Sequence, residues 1–475
     1  MSKNNSYISR KGYTIYKNTI SINDKNKIEN DLKITPYNND YNLNKTSYLI
    51  YLENSAKYYL PRYYGLKFFG NVNDIRFNDI SSLNNNIIDN ISLKKNQLIP
   101  YKKCLKKLKE DNGCILCLGC GYGKTIIALK LLLQLNFKTL IVVHKTFLLN
   151  QWRDRINMCI KNCNIGIIQG KICDYDDKDI VIAMLQSLSM KNYDNSIFDN
   201  FGLVIYDEVH HLSAETFSKA LPKVATKYLL GLSATPTRKD GLSKVFKYYI
   251  GDIIKFKNIS THENNVNVKI INVPNDNTCA YKNYSEIFLN YMSKPVVPKM
   301  ITNICQYEKR NTIIINLIKE LLKEKSRKIL VLSDRRNHLI SISNHLNKPD
   351  FGFYIGGMKQ HLLDNTITRR IILSTYMMTS EAFDVQELNT LILCTPKSNV
   401  IQIVGRILRK KHTINPLIID FKDDFSVFSN QYKKRVSYYK KCSYTIISDD
   451  NSISENISNN DSISEKKLNI ELDSD

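Results

Sequence analysis

Residues 114–135 read CILCLGCGYGKTIIALKLLLQL, and the reading of this stretch decides the fold. CILCL has the length and apolar character of a fully buried strand. Gly119, Gly121 and Gly123 follow within five residues, and then comes a helical pattern, TIIALKLLLQL. A buried strand, a flexible turn and a helix in that order bring backbone N–H groups and the helix dipole to one point, which is a cradle for phosphate. Gly119, Cys120, Gly121, Tyr122, Gly123, Lys124 and Thr125 are therefore the candidate ATP-binding loop. Lys124 is placed to reach the β- and γ-phosphates, and Thr125 to offer its hydroxyl to magnesium. The strict pattern asks for glycine at position 118, where this chain has Leu118.

Working outward, TLIVV, IGII, DIVIAM, GLVIYDE and YLLGLSAT continue as short apolar strands separated by helical patterns such as FLLNQWRDRI. Buried strands alternating with helices predict an α/β layer fold, a parallel sheet covered on both faces. The pattern fades between residues 251 and 300, where VNVKIINV is the one clear strand. A second alternating series follows, from NTIIINLIKELLKEK through KILVLSD, RRIILST and NTLILCTP to PLIID. The predicted organisation is an N-terminal accessory region (1–91), a first α/β domain (92–255), an inter-domain segment (256–300), a second α/β domain (301–448) and a disordered acidic tail (449–475).

The chain has 475 residues, enough for two or three domains, and 68 Lys+Arg against 45 Asp+Glu give a net charge of +23. Such a balance suits a polyanionic partner, nucleic acid before membrane. Abundant Asn, Ile, Lys and Tyr read as the codon bias of an AT-rich genome, so part of the lysine excess is compositional. The tail carries eight acidic residues against Lys466 and Lys467 and repeats SISE at 452–455 and 462–465. It holds too little apolar surface to fold alone, and reads as solvated or as a docking or phosphorylatable segment. No signal peptide and no run of about 18 apolar residues is present. The expectation is a soluble intracellular protein with reduced thiols. Cys114, Cys117 and Cys120 have C-x-x-C-x-x-C spacing, but they sit in the buried strand and its turn, where free cysteine acts as a small hydrophobe. Cys159, Cys163 and Cys173 are read the same way. YYLPRYYGLKFFG at Tyr58–Gly70 reads as a domain core, with stacking on unpaired bases as the alternative.

Two further motifs complete the nucleotide chemistry. IYDEVHH places Asp207 at the carboxyl end of a strand, where ligands of open α/β sheets bind. Asp207 is the candidate magnesium partner, and Glu208 the group that orients and deprotonates the attacking water. QIVGRILR puts Gln402, Arg406 and Arg409 at helical spacings of four and three, on one face of a predicted helix. Two arginines on that face fit an arginine finger supplied across a domain cleft.

These motifs, in this order from Gln97 to Lys411, resemble those of superfamily 2 helicases of the DExH type, and the resemblance implies two tandem RecA-like parallel-sheet domains. QLIPY at Gln97–Tyr101 is similar to the adenine-side motif, with Lys102 where the family often has glutamine. VVHKTFLLNQW resembles a first nucleic-acid motif and LQSL another, which implies contacts from Lys145, Thr146, Gln186 and Ser187. LVLSDRRNHL resembles the motif that implies Ser333 and Arg335. STYMMTSEAFDV resembles the motif that sets Thr375 against the nucleic-acid backbone and Asp384 near the nucleotide, although Ala382 stands where glycine is usual. His210, Ser233 and Thr235, in DEVH and SAT, correspond to coupling residues. GLSATPTRKDG resembles the DNA-acting branch. HKTFLLNQW, YIGGMK and the ending IIDFKDDFSVFSNQYKKRVSYYKK are similar to the poxvirus transcript-release helicases. That likeness implies a 3′-to-5′ DNA translocase using ATP and magnesium, partnered by viral RNA polymerase in its elongation complex and located in virions and host cytoplasm. The alternatives are an RNA helicase, the motor of a repair- or restriction-type complex, and a binding module with a decayed ATP site.

Overall fold

The computed structural model of the protein describes residues 6–35, 47–76, 80–119, 121–209, 219–224, 226–234, 243–256, 265–273, 286–289, 294–380, 383 and 385–448. Strands made of unbroken Ile, Leu and Val need cover on both faces, and two parallel sheets receive it. The first has eight strands in the spatial order 172–174, 165–169, 180–184, 139–143, 203–206, 228–233, 113–117 and 253–255. All its neighbours run parallel except the hairpin formed by 165–169 and 172–174. Side chains alternate between its faces. Leu116, Ile141, Val143 and Ile205 pack with the helices Lys95–Asp111, Lys124–Leu135 and Thr146–Cys159. Ile115, Val142, Val204 and Tyr206 share the opposite core with the N-terminal region and the helix Ser243–Ile250. The same alternation sends Cys114 and Cys117, three apart on one strand, to opposite faces, so the two cannot ligate one metal. Cys120 lies outside the described residues.

The second sheet has seven parallel strands, in the order 351–354, 371–375, 329–333, 390–393, 417–422, 267–272 and 445–448. This corrects the inter-domain assignment of 256–300. The strand Asn267–Asn272 is inserted between Leu417–Lys422 and Thr445–Ser448, so the second domain takes in VNVKIINV. Val268 and Ile270 are buried in its core, which is why an apolar strand stood out in a polar stretch. Among the described residues no helix is long and apolar enough to cross a membrane. The acidic tail lies outside them.

The N-terminal region forms its own five-stranded sheet, in the order 52–53, 57–60, 12–16, 7–9 and 73–74. It is fused to the first large domain through one continuous core. Tyr64 meets Tyr248 edge-on at 5.1 Å between centroids. The Tyr249 hydroxyl donates to the Ile50 carbonyl at 2.6 Å, and Arg62 Nη1 donates to the Lys227 carbonyl at 2.8 Å. Tyr58 and Tyr64 of the aromatic cluster are buried, as a core requires.

The second domain holds a buried polar network beneath its strand ends. Arg310 grips Asp423 through two nitrogens at 2.8 and 3.1 Å, and both residues are fully buried. Beside them, Asn311 Nδ2 donates to the Cys305 carbonyl, which turns its Oδ1 toward His338 Nε2 at 2.9 Å. That Nε2 must then carry the proton, and Nδ1 accepts from the Ser333 hydroxyl at 3.0 Å. Burial, helped by the Arg310 charge, pushes His338 down to about 3. An unfolded histidine titrates near pH 6.5, so below that value the unfolded chain takes up a proton that the folded chain refuses. Stability attributable to His338 is therefore lost as pH falls from about 6.5, by about 2 kcal/mol at pH 5. Chemical denaturation at pH 7.5 and pH 5 should show this loss in the parent protein and a loss smaller by about that amount in His338→Gln. Equal losses would mean that the folded histidine is protonated.

Candidate active site

The phosphate loop begins where the strand Gly113–Cys117 ends, and the helix Lys124–Leu135 closes it. Gly121 and Gly123 have φ of +83° and +78°, a region that favours glycine. Gly123 caps the helix without a side chain, which leaves the first-turn N–H groups for a ligand. Lys124 Nζ donates to the Leu118 carbonyl at 3.2 Å.

Gln97 holds this loop from behind. Its Nε2 donates to the Tyr122 carbonyl at 3.0 Å, while its Oε1 accepts from Lys94 N at 2.9 Å. A Cβ at Gly123 would lie 2.3 Å from Gln97 Nε2, so the glutamine occupies the space that only glycine leaves. Gln97, the first residue of QLIPY, thus supports the phosphate loop itself. Lys102, where the family often has glutamine, points to solvent from the outer side of the helix Lys95–Asp111.

Asp207 and Glu208 follow the strand Leu203–Tyr206 into the same cleft. Asp207 Oδ2 accepts from Trp152 Nε1 at 2.9 Å and its Oδ1 from the Glu208 backbone N–H at 3.0 Å. Burial and the neighbouring Glu208 push Asp207 up to about 6, against the opposing pull of the Trp152 hydrogen bond and the Lys124 charge. Glu208 sits at φ +49°, a left-handed conformation costing a non-glycine residue about 1–2 kcal/mol. Backbone strain at a carboxylate facing a cleft is a mark of function. The Thr125 hydroxyl and the Asp207 carboxylate supply the hard oxygen donors that suit magnesium. Trp152, the only tryptophan of the chain, escaped the motif reading although it ends HKTFLLNQW. Its rarity was the available signal.

The second domain forms the other wall of this cleft, whose volume is about 1020 Å³. Gln386, Arg406, Arg409, Lys410 and Lys411 line it. The predicted single helix through QIVGRILR is corrected: the helix covers only Ile401–Val404. Tight turns follow, with Arg406 N bonding to the Ile403 carbonyl and Ile407 N to that of Val404. Gln402 is not among the described residues that line the cleft. Arg406 is 6% exposed and its Nη1 donates to the Phe383 carbonyl at 2.7 Å. Arg409 lies beside the phosphate loop, its Cγ 3.9 Å from where a Gly121 Cβ would stand.

Lys145, Thr146, Gln186 and Ser187 converge at the carboxyl ends of the strands Thr139–Val143 and Ile180–Met184. Gln186 Nε2 donates to the His144 carbonyl at 2.7 Å. The hairpin turn at Gln169–Gly170, which no motif flagged, joins them: Gln169 Nε2 donates to Thr146 Oγ1 at 3.0 Å and Gly170 N to Ser187 Oγ at 2.8 Å. In the second domain Thr375 ends the strand Ile371–Thr375. Arg335 is tied to Thr302 Oγ1 and the Pro298 carbonyl. Ser333 is corrected as a side-chain contact, because it is fully buried and bonded to His338. Ser233 is also fully buried, and its carbonyl accepts from Leu118 N at 3.2 Å, which links the SAT strand to the phosphate loop. His210, Thr235 and Asp384 lie outside the described residues, with Cys120.

A cleft walled by two parallel sheets, with a phosphate loop and an acidic pair on one side and arginines on the other, is the layout of a nucleic-acid-dependent ATPase. Residues 85–238 match the family model described as type III restriction enzyme, res subunit. A putative ATP-dependent RNA helicase of Acanthamoeba polyphaga mimivirus is 35% identical over 454 residues, covering 92% of this chain and 86% of that protein. A putative helicase of Invertebrate iridescent virus 6 is 27% identical, covering 74% of this chain and 81% of that protein. A probable helicase of Escherichia phage T5 is 28% identical, covering 73% and 74%. The chain belongs to the superfamily 2 helicases.

Two substitutions test the positioning contacts. Trp152→Phe removes the indole donor on Asp207, the candidate magnesium partner, and outer partners of metal ligands typically govern 10–100-fold in metal affinity. The magnesium concentration giving half-maximal ATPase should rise about tenfold, with metal-free nucleotide binding unchanged, as read by magnesium titration alongside a melting-temperature control. Gln97→Ala removes the hydrogen bond that shapes the loop and should raise the KM for ATP by about tenfold, the equivalent of about 1.4 kcal/mol. Steady-state kinetics would show an unchanged KM if Gln97 merely fills space.

Proposed function

We propose that the protein couples ATP hydrolysis to 3′-to-5′ translocation along DNA and acts in the release of viral transcripts from RNA polymerase. The observation that carries the motor chemistry is the single cleft joining Lys124, Thr125, Asp207 and Glu208 of the first domain to Arg406 and Arg409 of the second. The DNA and transcript-release parts of the reading are supported by the likeness of GLSATPTRKDG, YIGGMK and the basic ending to the DNA-acting branch and the poxvirus proteins. The virion and cytoplasmic location and the elongation-complex partner follow from that likeness.

In this reading the loop N–H groups and Lys124 bind the β- and γ-phosphates, and Thr125 and Asp207 would hold magnesium. The metal, when bound, would neutralise charge on the phosphate oxygens. Glu208 accepts the proton of the attacking water as its oxygen bonds to the γ-phosphorus, and the bond to the β-γ bridging oxygen breaks to leave ADP. Arg409, beside the loop, and Arg406 stabilise the charge that gathers on the transferred group. Because the arginines come from the other domain, hydrolysis and product release change how the two sheets are held together. Lys145, Thr146, Gln186, Arg335 and Thr375 are the proposed grips on the nucleic-acid backbone.

An RNA substrate is the second reading, favoured by the name of the mimivirus relative, which describes that protein as a putative RNA helicase. The two are separated by measuring ATP turnover without nucleic acid and with single-stranded DNA, duplex DNA and RNA of matched sequence. Stimulation by DNA well above RNA is expected, and the reverse would overturn the DNA assignment. Glu208→Gln should retain nucleotide binding while losing at least about 100-fold in turnover, the usual contribution of a general base. Undiminished turnover would remove Glu208 from the mechanism.

A further inference from the structure

The N-terminal sheet buries one face in the shared core and, among the described residues, leaves the other partly exposed around a buried Thr14. Register assigns Ile8, Tyr13, Ile15, Tyr58 and Leu60 to the inner face, where they form the shared core. The opposite face is set by the same pairing. Leu52, Tyr59, Thr14, Tyr7 and Asn73 lie side by side across five strands. Tyr16 and Lys57 form the next row. Tyr7, Tyr16 and Tyr59 are half-buried, and Leu52 is 45% exposed.

Charge on this face has one sign. Lys57 Nζ donates to the Tyr7 hydroxyl at 3.0 Å and lies 4.5 Å from the Tyr16 ring centroid. Lys11 Nζ lies 5.0 Å from the Tyr59 centroid. The carboxylates of these strands, Glu53 and Asp74, pair with Tyr58 and Ile8 and so belong to the inner face. Among the described strand residues none on the outer face is acidic. Polar β-sheet faces are usually solvated by mixed short side chains, whereas this one carries three aromatic rings under two ammonium groups. Tyr7 and Tyr59 are two strand spacings apart, about 10 Å, with Thr14 between them.

We propose that this outer face is a platform for unpaired nucleic acid, in which bases stack on Tyr7, Tyr16 and Tyr59 while Lys11 and Lys57 neutralise phosphates. Stacking tolerates any base, since every base has a π-face, and the lysines track the backbone without reading sequence. The platform is rigidly joined to the first helicase domain through the shared core, so a strand held here keeps a fixed relation to Lys145, Thr146 and Gln186. The inference takes from the motor reading only the class of ligand.

The test uses the full chain and an oligothymidine of about 20 nucleotides, or a duplex of matched length, each followed by fluorescence anisotropy. A second single strand carries 2-aminopurine, whose emission is quenched on stacking. Tyr7→Ala, Tyr16→Ala and Tyr59→Ala combined should weaken single-strand binding by at least about tenfold and abolish the quench. Duplex binding should change much less, and the triple Tyr→Phe protein should behave as the parent. Lys11→Gln with Lys57→Gln leaves the rings in place and should reduce the salt slope for single strands by about 1.4, two phosphates at about 0.7 each. Parental single-strand affinity in the alanine protein, or equal losses on single strand and duplex, would overturn the platform. So would an unchanged salt slope in the lysine variant. DNA-stimulated ATP turnover that persists in such a case would leave the motor reading standing, which separates the two failures.

Discussion

Everything in the nucleotide site depends on one steric fact, the absence of a side chain at Gly123. The helix dipole and the first-turn N–H groups reach a phosphate only if the chain turns from strand to helix through left-handed φ values at Gly121 and Gly123. Gln97 then fills the space a Cβ would need and bonds the Tyr122 carbonyl, so the turn is held from outside. The loop is pinned from the other side by the Leu118 N–H to the Ser233 carbonyl. Strand, turn and helix therefore act as one preformed cradle.

Charge sets the second constraint. Asp207 and Glu208 are adjacent carboxylates, and Asp207 is buried enough for its pKa to rise to about 6. Trp152 and the Glu208 backbone N–H occupy both carboxylate oxygens from the protein side, which fixes the Asp207 plane without adding a cation. An indole does this with a donor that cannot titrate and with a large apolar body that keeps water off. Its contribution is orientation, which is what the proposed role of Asp207 as a magnesium partner requires.

The two-sheet architecture, and the placement of the glycine-rich turn and the acidic pair at strand ends in one cleft, were legible because each is written in contiguous residues. CILCL and TLIVV could only be buried strands, and a glycine-rich turn before a helix has one common use. The misreadings share a different origin. QIVGRILR has helical spacing, yet the chain breaks after Val404 and satisfies Arg406 by the Phe383 carbonyl, a partner 23 residues away. Ser333 ends a strand, where motif logic expects exposure, but His338 and Asn311 claim it for a buried network. Gln97 on the loop, Trp152 on Asp207 and Gly170 on Ser187 are long-range pairs as well. Local pattern carries no information about which distant atom completes a hydrogen bond, and that is where the reading stopped.

Among the described residues the cleft is lined by seven cationic side chains, Lys94, Lys124, Arg155, Arg406, Arg409, Lys410 and Lys411, against three carboxylates, Asp154, Asp207 and Glu208. Four of the cations belong to the second domain and all three carboxylates to the first. Bringing the walls together without a polyanion sets Arg409 toward Lys124, and at the short range of a closed cleft such like-charge approach costs several kcal/mol at an effective dielectric of about 20. A triphosphate reverses the sign of that interaction, since each arginine then meets negative charge held by the loop. In the mechanism proposed above, approach of the two walls would therefore depend on the phosphate charge held between them. The N-terminal sheet shares its core with the first domain, so the two are packed as one unit.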